Sequence, residues 1–155
     1  MQLRQGCKLW WLAIPAIAID RVCKIIALRS LTGGAVTAIP GVLSWTFVKN
    51  TGAAFGILAG NWLLPLITFA LMAVLLIWLL RHPDAPRLLR AGLWIIIGGG
   101  LGNLYDRLAY GYVIDFIRLD FVNFAVFNPA DVFVCLGAAL AVVSVLLSER
   151  RKGNA

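Results

Sequence analysis

The sequence predicts an all-α membrane protein, four transmembrane helices carrying a small extracytoplasmic β-element. Three observations lead there. Of 155 residues, 61% are hydrophobic and only 14% are charged, far from the composition of a soluble domain. Four apolar stretches, at about 9–28, 62–80, 88–108 and 129–147, approach the roughly 20 residues that cross a bilayer. Lys and Arg gather at the ends of those stretches, where they set topology. No polar linker and no internal repeat divides the chain, so residues 1–155 read as a single integral membrane domain.

The first span follows Arg4 and Lys8 and turns polar towards its far end. Asp20 and Lys24 stand four apart, acid first, which puts them on one helix face in the favourable order for an ion pair, a structural clamp. An alternative reading takes LWWLAIPAIAI as the apolar core of a secretory signal cleaved after residues 16–18; it would leave Arg21, Lys24 and Arg29 outside, against the charge rule. In the following loop, GVLSWTFVKNTG alternates Leu43, Trp45 and Phe47 with Ser44 and Thr46, the period of a β-strand. The second span is free of charge and ends at Arg81; with Arg87 and Arg90, that arginine marks a cytoplasmic connection.

The third span ends in GNLYDRL, where Asn103 and Asp106 share a face beside Arg107, as polar residues binding one helix to another do. Read as extended chain, YVIDFIRLDF puts Asp115 with Val113, Ile117, Leu119 and Phe121, and Arg118 and Asp120 on the other face. A carboxylate on an apolar face is pushed towards its protonated form. FNPAD then opens the fourth span, with Asn128 as N-cap, Pro129 at the first helical position and Asp131 near the positive end of the helix dipole. That is a sufficient structural reason for Asp131 by itself. Arg4 and Lys8 at one end and Arg150 to Lys152 at the other place both termini in the cytoplasm, while the loops 30–61 and 109–128 hold Lys49 and Arg118 as their only basic residues and face outward.

The net charge of +7 lies at span ends and not on a polar face, which argues against nucleic acid. Cys7, Cys23 and Cys135 lack CxxC spacing, and His82 stands alone, so neither a disulfide framework nor a metal site is expected, and Ser/His/Asp chemistry is improbable. No cofactor is expected. Because the third span runs outward and the fourth inward, Asp115 and Asp131 can meet at the outer membrane level. Two carboxylates in one dry site cannot both ionise easily, so one holds a proton while the other activates water. A proton-coupled transporter or channel subunit would use the same acids, though it would spread them through membrane depth. Ser44 or Ser30 with Lys49 offers a Ser/Lys protease, and a purely structural subunit is the remaining alternative.

Several motifs in order resemble the lipoprotein signal peptidases (signal peptidase II): DRVCK at 20–24, FVKNTGAAFGIL at 47–58, GGGLGNLYDRLAYGYVIDFI at 98–117 and FNPAD at 127–131. The resemblance spans nearly the whole chain and implies a bacterial inner-membrane aspartyl protease with its site near the outer leaflet. It matches Asp115 and Asp131 to the catalytic aspartates, and Asp20, Lys24, Asn50, Gly52, Asn103, Asp106, Arg107, Asn128 and Ala130 to other motif positions. Asn50 and Asn128 would orient the site, and Gly52 with Ala53 and Ala54 would let a substrate approach closely, unless NTGAAFG is only a tight turn. Two departures are visible: Arg21 where the family usually has glutamine, and Pro129 where it usually has an aliphatic residue. The implied partners are membrane lipids and prolipoproteins bearing a diacylglyceryl-modified cysteine, cut on the amino side of that cysteine. A monomer is expected.

Overall fold

The structure, a computed structural model, describes residues 9–52 and 62–153. Arg4, Cys7 and Lys8, and the Ala53–Ala54 part of the second motif, lie outside the described residues. After a 3₁₀ turn at Trp10–Leu12 come helix α1 (Ala13–Ser30), strands β1 (Val36–Ile39) and β2 (Leu43–Asn50), helices α2 (Leu63–Arg81) and α3 (Arg87–Tyr110), strand β3 (Val113–Leu119) and helix α4 (Pro129–Gly153). Among the described residues the chain is mostly helical, with one small antiparallel sheet.

Three of these helices, α2, α3 and the first 22 residues of α4, are long and apolar enough to cross a membrane. Helix α1 carries Asp20, Arg21, Lys24 and Arg29. Its charges do not face outward at random: Asp20 and Lys24 are fully buried, while Ile14, Ile19, Val22, Ile25 and Ile26 are exposed. The helix is polar inside and apolar outside, the reverse of a helix on a soluble protein. Residues 16–18, the cleavage site of the alternative reading, lie within this unbroken helix, and Ala13 and Ala16 are packed in the core.

Close helix approach is made by glycine. A Cβ at Gly98 would stand 2.8 Å from Ala13 O, and one at Gly102 would stand 2.6 Å from Asp20 Oδ2, so α1 and α3 run side by side in the same direction. Gly92 and Gly137 face each other, each 2.5 Å from the other's carbonyl oxygen if given a Cβ, and Gly99 meets Ala130 O at the same distance, which packs α4 antiparallel on α3. In membrane bundles such contacts take over the role that hydrophobic burial plays in water. One apolar core lies between α1, α2 and α3 around Leu79, Leu93, Trp94 and Ile97.

The sheet has the order β1-β2-β3, and β2 pairs with β3 from Leu43↔Leu119 to Asn50↔Val113 through a bulge between Trp45 and Val48. Gly111, in the left-handed conformation at φ 78°, closes α3 and turns the chain into β3. The alternation expected for β3 holds at its far end, where Arg118 and Asp120 are exposed. Its first half is buried on both faces: Ile114 and Phe116, opposite Asp115, pack on Ala27 of α1 and on Leu31, which caps that helix. The strand is thus wedged between the sheet and the bundle, an environment that side-chain alternation alone does not reveal.

Candidate active site

Each expected aspartate is mounted by local chemistry. Asn128 and Asp131 form a reciprocal capping box at the start of α4: the Asp131 amide donates to Asn128 Oδ1 at 3.2 Å, and the Asn128 amide donates to Asp131 Oδ2 at 3.1 Å. Pro129 fits because its missing N–H would have no partner in the first turn anyway. Asp115 sits on β3. A bridge between Ile117 and Phe127 lays the segment before α4 along that strand, and Phe116 and Ile117 both donate to Phe127 O. The same bridge brings Asn128 to Asp115.

Three asparagines then connect the acids. Asn128 Nδ2 donates to Asp115 Oδ1 at 2.6 Å and to Asn103 Oδ1 at 3.1 Å. Asn103 Nδ2 donates to Asp131 Oδ1 at 2.8 Å, and Asn50 Nδ2 donates to Asp115 Oδ2 at 2.8 Å. Lys24 Nζ also donates to Asn103 Oδ1, at 2.7 Å. With an ammonium and an amide both pointing at that oxygen, Asn103 can turn only its NH₂ towards Asp131. All four carboxylate oxygens thus receive a donor, and Asn128, fully buried, serves both acids at once.

Burial raises the pKa of Asp115 to about 6; the Asn50 and Asn128 amides pull against that rise, the nearby Asp131 adds to it, and Lys24 opposes it. A carboxyl group so placed exchanges a proton near neutral pH, which suits it to acid–base work.

A cavity of about 480 Å³ opens onto this pair. Asn50, Asn103, Arg107, Asp115 and Asp131 line it on the polar side, and Leu119, Phe124, Val126, Phe127, Val132 and Cys135 form an apolar wall. Arg107 donates to Gly52 O at 3.1 Å, and the Gly52 amide donates to Asn50 Oδ1 at 3.0 Å, so Gly52 ties β2 to α3. Asp106 and Ala130 are fully buried and line no part of the cavity. Ala130 is small where α4 crosses Gly99 and Gly102.

Asp20, Lys24 and Asp106 meet as one ionic cluster: Lys24 Nζ lies 3.0 Å from Asp20 Oδ1 and 2.8 Å from Asp106 Oδ2. Arg21 joins it, 2.7 Å from each acid. In the sequence Arg21 stands out only as a departure from a motif, and the apolar wall is not apparent. For the wall a signal existed, since Val132 and Cys135 share a helical face with Asn128 and Asp131. Ser44 donates to Asp120, and the Lys49 ammonium lies over the Tyr112 ring, so Ser44 and Lys49 have separate partners. His82 stacks on Trp78, and Cys23 and Cys135 are free thiols.

The family model described as signal peptidase (SPase) II matches residues 12–147. The chain belongs to the signal peptidase II family. Among relatives, the lipoprotein signal peptidase of Streptococcus agalactiae serotype Ia is 39% identical over 145 residues, spanning 92% of this chain and 94% of that protein. That of Pseudomonas fluorescens is 40% identical over 149 residues, spanning 90% and 88%. A solved bacterial membrane enzyme superposes with a TM-score of 0.83 at 29% identity, over 91% of this chain and 88% of that one. A second does so with a TM-score of 0.77 at 30% identity, over 87% and 90%. The protein is therefore a membrane enzyme of a family that removes signal peptides from prolipoproteins.

Proposed function

We propose that the enzyme is an aspartic endopeptidase in which Asp115 and Asp131 share one proton and cut a diacylglyceryl-modified prolipoprotein before its lipidated cysteine. The observation that carries this reading is the asparagine relay: Asn128 contacts Asp115 directly and holds Asp131 in a capping box, so two acids from distant segments open onto one cavity. The ionised member takes a proton from water as it attacks the scissile carbonyl. The protonated member donates to the carbonyl oxygen, and the roles exchange as the C–N bond breaks and the departing amine takes the proton that came from water. Asn50, Asn103 and Asn128 keep both carboxylates aimed, and Arg107 with Gly52 holds the outer strand against α3. The apolar wall suits a lipid-bearing substrate delivered from the bilayer, with positioning by the membrane replacing a deep pocket.

In this reading α1 is a fourth span, both termini are cytoplasmic in the bacterial inner membrane, and the site lies at the outer leaflet. The apolar outer face of α1 supports the fourth span, and Arg81, Arg87 and Arg90, at the opposite end of α3 from the site, support the orientation. The enzyme works as one domain and as a monomer, on membrane-borne substrates, without cofactor or metal.

The test replaces Asp115→Asn and Asp131→Asn separately and follows cleavage of lipid-modified precursor by purified, folded enzyme. Each variant loses at least ~100-fold in kcat. The wild-type rate passes through a maximum with pH, since both the doubly protonated and the doubly ionised pair are inactive. Wild-type cleavage by either variant sinks the mechanism.

A further inference from the structure

Behind the carboxylate pair, Asp20 and Asp106 are closed against Arg21 and Lys24, two acids and two bases. Each acid also grips a backbone amide. Asp20 Oδ1 accepts from the Ala130 N–H at 3.1 Å, one residue before Asp131. Asp106 Oδ2 accepts from the Ile114 N–H at 3.2 Å, one residue before Asp115. The two acids therefore hold the two segments that carry the pair, and whatever ties acid to acid sets the spacing of those segments.

There are two such ties. The Lys24 ammonium is a point donor about which both acids can pivot. The Arg21 guanidinium is a rigid planar fork: NH1 reaches Asp106 Oδ1 at 2.7 Å, and NH2 reaches Asp20 Oδ2 at 2.7 Å and Gly102 O at 3.2 Å. Its carbon lies 4.8 Å from the centre of the Tyr105 ring, which holds the plane from one side. Such a fork sets angle as well as distance.

We propose that Arg21 is a positioning residue for peptide cleavage: by bridging Asp20 to Asp106 it fixes the Ala130 and Ile114 amides relative to each other, and through them the separation of Asp131 and Asp115. The role rests on the aspartic reading above. Arg21 touches neither carboxylate of the pair and lines no part of the cavity, so its effect falls on turnover and not on substrate binding.

The experiment measures kcat and KM of the purified full-length enzyme on a diacylglyceryl-modified peptide, for Arg21→Lys, Arg21→Ala and Arg21→Met, with thermal unfolding alongside. Ala and Met, which donate to neither acid, lower kcat by ~10- to 100-fold with KM within about twofold of wild type, the cost of a small misplacement at a reacting pair. Lys, which keeps the charge without the fork, falls between, and it serves as the folded variant should the others unfold. Unchanged kcat in the folded variants, a change confined to KM, or a loss of rate that only follows the folded fraction overturns the proposal. Asp115→Asn and Asp131→Asn run in parallel: if both are inactive while the Arg21 variants keep full kcat, the aspartic reading stands and the positioning role falls. If either asparagine variant is active, both fall.

Discussion

Helices α1 and α3 run in parallel through two buried regions of opposite character. Near their starts, α1 and α3 meet α2 around Leu9, Ala13, Leu79, Leu93, Trp94 and Ile97, all apolar. About two to three turns further along, the same two helices bury Asp20, Lys24 and Asp106 and receive the capped end of α4. The apolar region is held by contact area and shape, and it accepts other apolar side chains of similar volume at modest cost. The ionic region is held by particular atoms at particular distances, and each group in it would cost several kcal/mol if left without its partner. Chemistry that depends on where two carboxyl groups stand requires the second kind of construction. The first kind only has to keep the helices together.

Lys24→Met breaks this contrast most severely. It inserts a side chain of similar length, of the sort the apolar region would accept, and withdraws the donor shared by Asp20, Asp106 and Asn103. Two buried acids then face Arg21 alone. The expected cost is about 3–5 kcal/mol of stability, and the protein that remains folded loses ~100-fold in kcat, because only the weaker Asn128 donor, at 3.1 Å, is left to orient Asn103 towards Asp131. Thermal unfolding and turnover measured on the same preparation check both. Turnover within twofold of wild type would mean that the ionic region is scaffold only.

Leu79→Ala makes the complementary change in the apolar region. Leu79 is fully buried, and truncation leaves a void that the neighbouring helices fill only in part. The cost falls near the lower end of the usual range, about 2 kcal/mol, since in a bilayer packing carries it and not transfer out of water. Below the new unfolding temperature kcat is expected to stay within about twofold of wild type. A large loss of turnover in folded Leu79→Ala would show that the two regions are coupled.

The contrast also explains what could be read from sequence. The mount of Asp131 was legible because a capping box is local: Asn128, Pro129 and Asp131 act within four residues. Asp115 was legible as an acid in an extended, mainly apolar segment, and the topology of alternating spans allowed the two to meet. The pairing of Asp20 and Lys24 followed from their spacing of four. What stayed hidden is long-range. Nothing near Asp20 announces that it receives the amide of Ala130, 110 residues away, and nothing near Asp106 announces the amide of Ile114. Arg21 looked like an irregularity in a motif because its meaning lies in two partners on different helices. The second buried face of β3, Ile114 and Phe116 on α1, was hidden for the same reason.

The smallest effects are expected where polar residues of the sheet lie away from both regions. Ser44 is buried, but its hydroxyl donates to Asp120, which is open to water and already takes an N–H from Arg118 at 2.8 Å. Ser44→Ala leaves that carboxylate to be hydrated, at about 1 kcal/mol or less. Lys49 on the same strand spends its ammonium on the face of Tyr112, so Lys49→Ala removes a contact of about 0.5–1 kcal/mol at an exposed site. Neither group reaches the asparagines or the aspartates. Both single variants and the double variant are therefore expected to cleave lipid-modified precursor within about twofold of wild type. A loss of the order seen for Asp115→Asn in either single variant would move the chemistry onto the sheet and favour a serine nucleophile over the carboxylate pair.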